Sequence, residues 1–234
     1  MIDNLFNFSG VEHVSTVDYP SEVATVIFMG GCPFNCPHCY NIDMTCHYTS
    51  IPVVDMEEVI AGNPFCSAVV LSGGEPLMQP IACKDIFIMA RKYGKKTAIE
   101  TSGKYPAALE YLILEGVLDS VFMDIKGDLS PVAYKLATGV EGAESWIYKS
   151  LQVLFKRDVP FEIRTTVFPE FPTCLELKNI ADTLKHFNIT YPDNKMTGWK
   201  LQQGCPPKGQ EFYPVSMSEI KLLERAFSRN LFKV

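Results

Sequence analysis

Three cysteines crowd into one short stretch, Cys32-Pro33-Phe34-Asn35-Cys36-Pro37-His38-Cys39-Tyr40, with C-x3-C-x2-C spacing. Thiolates are soft donors that select iron–sulfur clusters, zinc or copper(I). A structural zinc site closes its shell with four protein ligands. Here His38, His47 or Cys46 would have to supply the fourth. A cubane cluster has four irons to ligate, so three cysteines leave one iron open, where a small molecule can bind the metal directly. Pro33 and Pro37 stiffen the tight loop such a cluster needs. We read the loop as an open-iron cluster site, with a zinc knuckle as the alternative. Packing preference alone does not crowd three thiols into a proline-rich loop. Cys46, Cys66, Cys83, Cys174 and Cys205 form no second close-spaced motif, so no auxiliary cluster is expected. Cys66 and Cys83 read as small core hydrophobes, and Cys205 stands near the end of the last strand. His13, His47 and His186 belong to no constellation.

The cysteine loop needs elements that hold it, and the chain alternates short apolar runs with amphipathic stretches. Predicted strands are Glu22–Met29, Ala68–Leu71, Lys96–Glu100, Ser120–Ile125, Phe161–Val167 and Thr197–Leu201. Predicted helices begin at Asp55 and cover Ile81–Lys92, Pro106–Glu115, Glu144–Lys156, Leu175–His186 and Ser216–Arg229, with Thr190–Thr197 as a surface loop. Alternation of this kind indicates a parallel sheet with right-handed crossovers. Six units fall short of the eight in a closed barrel. The fold class expected is α/β, an open partial (β/α)6 barrel with parallel strands, a short N-terminal extension and a closing C-terminal helix. We expect one domain over 1–234: an N-terminal arm 1–20, a core of about 20–203 and a C-terminal helical segment 214–234. The unusual polar residues follow predicted strand ends, the rim where parallel α/β folds bind ligands.

Composition narrows the function. The chain has 234 residues, 47% hydrophobic and 21% charged, with a formal net charge of −6. Without a long Lys/Arg block, no nucleic-acid partner or anionic membrane is expected. No apolar run reaches the length of a membrane span, and Met1-Ile2-Asp3-Asn4 lacks the basic start of a signal peptide. The expected location is therefore cytoplasmic.

The loop, followed after the next strand by Ser72-Gly73-Gly74-Glu75-Pro76, resembles the signature of the radical S-adenosylmethionine (SAM) superfamily, with His38 at its aromatic position. The resemblance implies a [4Fe–4S] cluster on Cys32, Cys36 and Cys39. It implies reductive cleavage of SAM to a 5′-deoxyadenosyl radical that abstracts hydrogen. It places Ser72, Gly73, Gly74 and Glu75 at the methionine moiety, with glycine chosen because backbone must approach the ligand closely. Glu100-Thr101-Ser102-Gly103 and Met123-Asp124-Ile125-Lys126 resemble cofactor-holding segments of glycyl-radical activating enzymes. Through them Thr101, Asp124 and Lys126 would contact the cofactor, and Glu100, Thr101 and Asp124 would hold a monovalent cation. The alternative is an ordinary Asp124–Lys126 ion pair. Arg164, a charge inside an apolar strand, needs a partner: Glu100 or Asp124, or the cofactor. Gln202 and Gln203 would reach ribose or adenine.

Ser15-Thr16-Val17-Asp18-Tyr19-Pro20 resembles the S-x-x-D-Y-P-G lead-in of anaerobic ribonucleoside-triphosphate reductase activating proteins, except that Ser21 replaces the usual glycine. This implies a glycyl-radical enzyme partner, namely an anaerobic ribonucleotide reductase, and an electron donor such as flavodoxin or ferredoxin. The alternatives are a small-molecule enzyme of the 7-carboxy-7-deazaguanine synthase type and a non-enzymatic metal-binding scaffold, the latter disfavoured by the Gly-Gly-Glu-Pro turn.

Overall fold

The computed structural model describes residues 4–207, 209–228 and 231. In chain order the strands are β1 (Leu5–Ser15), β2 (Ala24–Met29), β3 (Thr49–Pro52), β4 (Ala68–Gly73), β5 (Lys96–Thr101), β6 (Ser120–Asp124), β7 (Phe161–Val167) and β8 (Met196–Gln203). The helices are α1 (Ile42–Cys46), α2 (Met56–Ala61), α3 (Pro80–Lys92), α4 (Pro106–Leu114), α5 (Pro131–Thr138), α6 (Ala143–Lys156), α7 (Cys174–Thr190) and α8 (Met217–Ser228). The sheet has eight strands in the order β3-β1-β2-β4-β5-β6-β7-β8. It is a mostly parallel, open α/β sheet, as expected. The β2–β4, β4–β5 and β7–β8 pairs are parallel, and β1 runs antiparallel to β2 and β3.

The apolar runs became the buried strands. All of β2 except Phe28 is buried, and so are the first five residues of β4, as strands covered on both faces require. On α6, Ile147, Leu151, Leu154 and Phe155 form one buried stripe at helical spacing. A capping box opens α7: the Thr173 hydroxyl accepts from the Glu176 N–H, and the Glu176 carboxylate accepts from the Thr173 N–H. The edge β8 is covered by α8, where Glu224 accepts the Leu201 N–H at 3.2 Å. Edge strand β3 is short and ends at Pro52, which limits further pairing.

The N-terminal region differs from the expected arm. Residues 5–15 form a full sheet strand, disguised by a register shift between Phe8 and Gly10 that breaks the two-residue alternation. Short β3 and α5 were also missed. In α5, Val132 and Leu136 are exposed, so its apolar pattern does not mark a core face. Helix α7 continues past His186 to Thr190, shortening the expected loop. The expected α8 end at Arg229 lies outside the described residues, as do Met1–Asp3.

The chain divides into two compact units, one of residues up to 33, 41–101 and 107–122, the other of 34–40, 102–106 and those from 123 onward. No helix among the described residues is long and apolar enough to cross a membrane.

Candidate functional site

In the first unit, β2 ends at Met29 and runs through Gly30-Gly31 into Cys32. Gly30 donates to the Asn7 carbonyl at 2.8 Å. The turn after β4 lies directly on this lead. Gly74 donates to the Met29 carbonyl at 2.9 Å, and Glu75 donates to the Gly31 carbonyl at 2.8 Å. A Cβ on Gly74 would stand 1.9 Å from the Gly31 oxygen, and one on Gly73 would stand 2.5 Å from the Met29 oxygen. The close approach of the chain's own backbone is enough by itself to require glycine at both positions. The turn fixes the path of the chain into Cys32.

Glu75 is fully buried. Its carboxylate accepts from the Leu77 N–H at 3.1 Å and the Thr101 hydroxyl at 2.7 Å. Ser72 donates to Glu100 at 2.6 Å. The ends of β4 and β5 are thus cross-tied by two hydroxyl–carboxylate bonds, bringing Ser72, Glu75, Glu100 and Thr101 together. Behind them Cys83 is fully buried and donates to the Pro76 carbonyl at 3.2 Å. Burial, and then the charge of Glu75, push its thiol well above the usual range, which suits the core role expected of it. Gln79, unnoticed in the sequence, accepts the Asn7 N–H at 2.7 Å and donates to the Gly30 carbonyl at 3.4 Å.

In the second unit, the remainder of the cysteine loop is fastened to α5. Asn35 donates to the Thr138 carbonyl at 2.8 Å. Gly139, at φ 71°, closes the helix and leaves room for the Asn35 carbonyl, 2.8 Å from where its Cβ would be. The Cys39 N–H donates to the Cys36 carbonyl at 3.1 Å. Burial raises the Cys36 thiol above its usual range, and the Lys126 charge works against that rise. Lys126 pairs with Asp124 at 2.6 Å, the ion pair named as the alternative to a cation site. Burial disfavours its ammonium, but Asp124 and the Cys36 sulfur outweigh this and hold it charged well above the lysine range. The Tyr134 hydroxyl, accepting the Lys126 N–H at 3.4 Å, is kept protonated by burial.

Arg164 is 3% exposed and donates from Nε to Glu162 at 2.8 Å, a partner two residues back on the same strand face that the sequence reading did not name. Gln202 is half-buried and pairs in register with Thr166. Gln203 donates its side-chain N–H to the Val215 carbonyl at 2.7 Å. His38 stacks on Phe168 with ring centroids 4.5 Å apart.

All eight cysteines are thiols rather than disulfides. Among the described residues no group of three or more His, Cys, Asp or Glu is already gathered as a metal site. The ligand reading of Cys32, Cys36 and Cys39 therefore rests on donor type and spacing, which suit a cluster. Within the loop, His38 Nδ1 is buried and has no hydrogen-bond partner among the described residues, an unmet need a bound group would satisfy.

The comparisons bear on the family. The family described as the radical SAM superfamily matches residues 26–177. A protein of Methanocaldococcus jannaschii named as a glycyl-radical enzyme activating enzyme is 33% identical over 184 residues, spanning 77% of this chain and 76% of its own. The pyruvate formate-lyase-activating enzyme of Clostridium pasteurianum is 31% identical over 137 residues, spanning 55% of this chain and 56% of its own. Among solved structures, SuiB of Streptococcus suis has a TM-score of 0.66 at 16% identity, covering 86% of this chain and 44% of that one. SuiB is also solved bound to SAM. The family implies SAM and a [4Fe–4S] cluster. The chain belongs to the radical SAM superfamily and is an enzyme of that family, with glycyl-radical activating enzymes among its relatives.

Proposed function

We propose that this enzyme cleaves SAM reductively and removes an α-hydrogen from a backbone glycine of a partner glycyl-radical enzyme. A reduced [4Fe–4S] cluster, when bound, supplies the electron that splits the C5′–S bond of SAM into methionine and a 5′-deoxyadenosyl radical, which takes a hydrogen atom to become 5′-deoxyadenosine. Cys32, Cys36 and Cys39 would hold the cluster and leave one iron for the cofactor. The turn of Gly73, Gly74 and Glu75 sets the backbone that leads into Cys32. Ser72, Glu75 and Thr101, at the ends of β4 and β5, would by the motif resemblance receive the methionine moiety. Asp124, Lys126, Arg164, His38 and Gln202 are the further cofactor contacts of this reading. The observation that carries it is the C-x3-C-x2-C loop at the end of β2, whose three thiols cannot ligate all four irons.

The relatives' names support the class of partner. The lead-in resemblance names an anaerobic ribonucleotide reductase within that class. Anaerobically reconstituted chain with dithionite and SAM is expected to form 5′-deoxyadenosine, and Cys36→Ala to lose both the chromophore and cleavage. Intact cleavage in that variant would remove Cys36 from the ligand set. Added reductase should then acquire a glycyl-radical spin signal. A signal on a pyruvate formate-lyase-type partner alone would move the assignment there, and turnover of a pterin without any partner would point to small-molecule chemistry.

A further inference from the structure

In the second unit α5 carries two attachments on its buried side. The Thr138 carbonyl accepts the Asn35 N–H at 2.8 Å, next to Cys36 in the loop. Four residues earlier, the Tyr134 hydroxyl accepts the Lys126 N–H at 3.4 Å. Tyr134 and Thr138 are both fully buried, and residues four apart on a helix share a face. One helix face therefore holds both the middle of the cysteine loop and the chain that leaves β6. There the Lys126 ammonium pairs with the Asp124 carboxylate at 2.6 Å. The two charges do not cancel at Cys36, because the ammonium acts on its sulfur more strongly than the carboxylate does.

Reduction of a [4Fe–4S] cluster adds one electron and makes its charge more negative by one. A cation beside it therefore favours the reduced form, and an anion favours the oxidised form. We infer that Lys126 raises the reduction potential of a cluster held by Cys36, and that Asp124 opposes that rise from the same ion pair. Tyr134 and Thr138 are positioning residues, since α5 fixes the chain at Lys126 relative to the chain at Cys36. A higher potential lets a weaker electron donor reduce the cluster, and leaves less driving force for splitting the C5′–S bond. The ion pair sets the balance between these two demands. This rests on Cys36 as a cluster ligand in the proposed function. It goes beyond that reading by giving Lys126 and Asp124 opposite effects that exist before SAM binds.

The test is a potentiometric titration of the cluster-loaded chain with dithionite, read by the spin signal of the reduced cluster. SAM is left out, so contacts with the cofactor do not enter. Lys126→Met should lower the midpoint: at the wild-type midpoint the ratio of reduced to oxidised cluster should fall about tenfold, which is about 59 mV for one electron. Asp124→Asn should raise the midpoint, and that ratio should rise about threefold, less because the carboxylate acts more weakly on Cys36. Lys126→Arg keeps the charge and should stay within about twofold of wild type. Lys178→Met removes an exposed charge on α7 that pairs with Asp182, and solvent screening should keep its ratio within about twofold too. Iron content checks that each variant is loaded. Shifts of opposite sign are a readout that a merely structural role would not produce. If Lys126→Met and Asp124→Asn move the midpoint in the same direction, or neither moves it further than Lys178→Met, the inference is overturned. Should Lys126→Met load no iron, Asp124→Asn decides alone, and an unchanged or lowered midpoint overturns the inference. A wild-type chain that forms no reducible cluster would instead overturn the proposed function, and this inference with it.

Discussion

Gly74→Ala tests the claim that the turn after β4 shapes the cysteine loop through backbone contact. The added methyl would stand 1.9 Å from the Gly31 oxygen and 2.7 Å from its carbonyl carbon. A relaxed carbon–oxygen contact is about 3.3 Å, so the two backbones must part by about 1.4 Å. No side chain can yield, because both sides are main chain. Overpacking of this kind costs about 1–3 kcal/mol. Separation also strains the Gly74–Met29 and Glu75–Gly31 hydrogen bonds, worth about 0.5–1.5 kcal/mol each. The expected total is about 2–6 kcal/mol, or roughly 5–20 °C in Tm for a chain of this size. Thermal melting of the cluster-free chain reads it, with two controls. Gly198 has open space around its Cβ position and no positive φ, so Gly198→Ala should be neutral or stabilising by up to about 1 kcal/mol. Gly94 also has open space but φ 69°, so Gly94→Ala should pay only the left-handed penalty of about 1–2 kcal/mol. A Gly74→Ala melt within about 2 °C of Gly198→Ala would refute the contact argument. Because Gly31 leads into Cys32, the same variant should also load iron poorly.

Three other outcomes are expected. Ser21 adopts φ 68°, which costs a non-glycine residue, so Ser21→Gly should stabilise by up to about 1 kcal/mol; a lower urea midpoint would contradict this. Thr173→Ala removes the α7 N-cap and should cost about 1 kcal/mol, seen as a melt lowered by about 2–4 °C, whereas an unchanged melt would mean the cap is idle. The Glu22 carboxyl lies below its usual value of 4.5, first because of its hydrogen bond with Lys96 and then that with Ser67. A depressed carboxyl contributes stability that is present above its unfolded value and lost as pH falls through its folded one. The urea midpoint of wild type should therefore exceed that of Glu22→Gln at pH 7, and the gap should close on acidification below 4.5; a gap constant with pH would exclude the linkage.

The parts of the fold that the sequence made legible are those whose burial is two-sided or whose ends carry chemical punctuation. Continuous apolar runs marked β2 and β4, and strict 3.6-residue spacing marked α6. The signals for α5 were present too, a proline at its first position and Gly139 after its end. Its exposed Val132 and Leu136 hid the core face. The site was legible in type, since thiol spacing and a Gly-Gly turn are local features. Its tertiary partners were not. Nothing in the sequence says that Gly74 meets Gly31, that Arg164 pairs with Glu162, or that Phe212 reaches His38, because each pairing depends on how strands and the C-terminal segment come together.

The Ser15–Pro20 lead-in has a part in the fold of the first unit. The Ser15 hydroxyl accepts the Val17 N–H at 3.2 Å and the Asp18 N–H at 3.4 Å, and bonds the Asp18 carboxylate. Glu22 donates to the Tyr19 carbonyl at 3.2 Å, and Pro20 followed by positive φ at Ser21 makes a type II turn. The turn that glycine would favour is therefore kept despite the serine. Tyr19 is buried in a cluster with Ala24, Val26, Ala68, Val70, Ala98 and Phe122. Ala24 and Ala68 are opposite residues at the starts of β2 and β4, whereas Met29 and Gly73 are opposite residues at their ends. At about 3.3 Å per residue, the lead-in stands roughly 16 Å from the strand ends that carry Cys32 and Glu75. It closes the far end of these strands. Its part in the fold accounts for these residues without a partner, so spin transfer to a defined partner, and not the lead-in, decides the substrate.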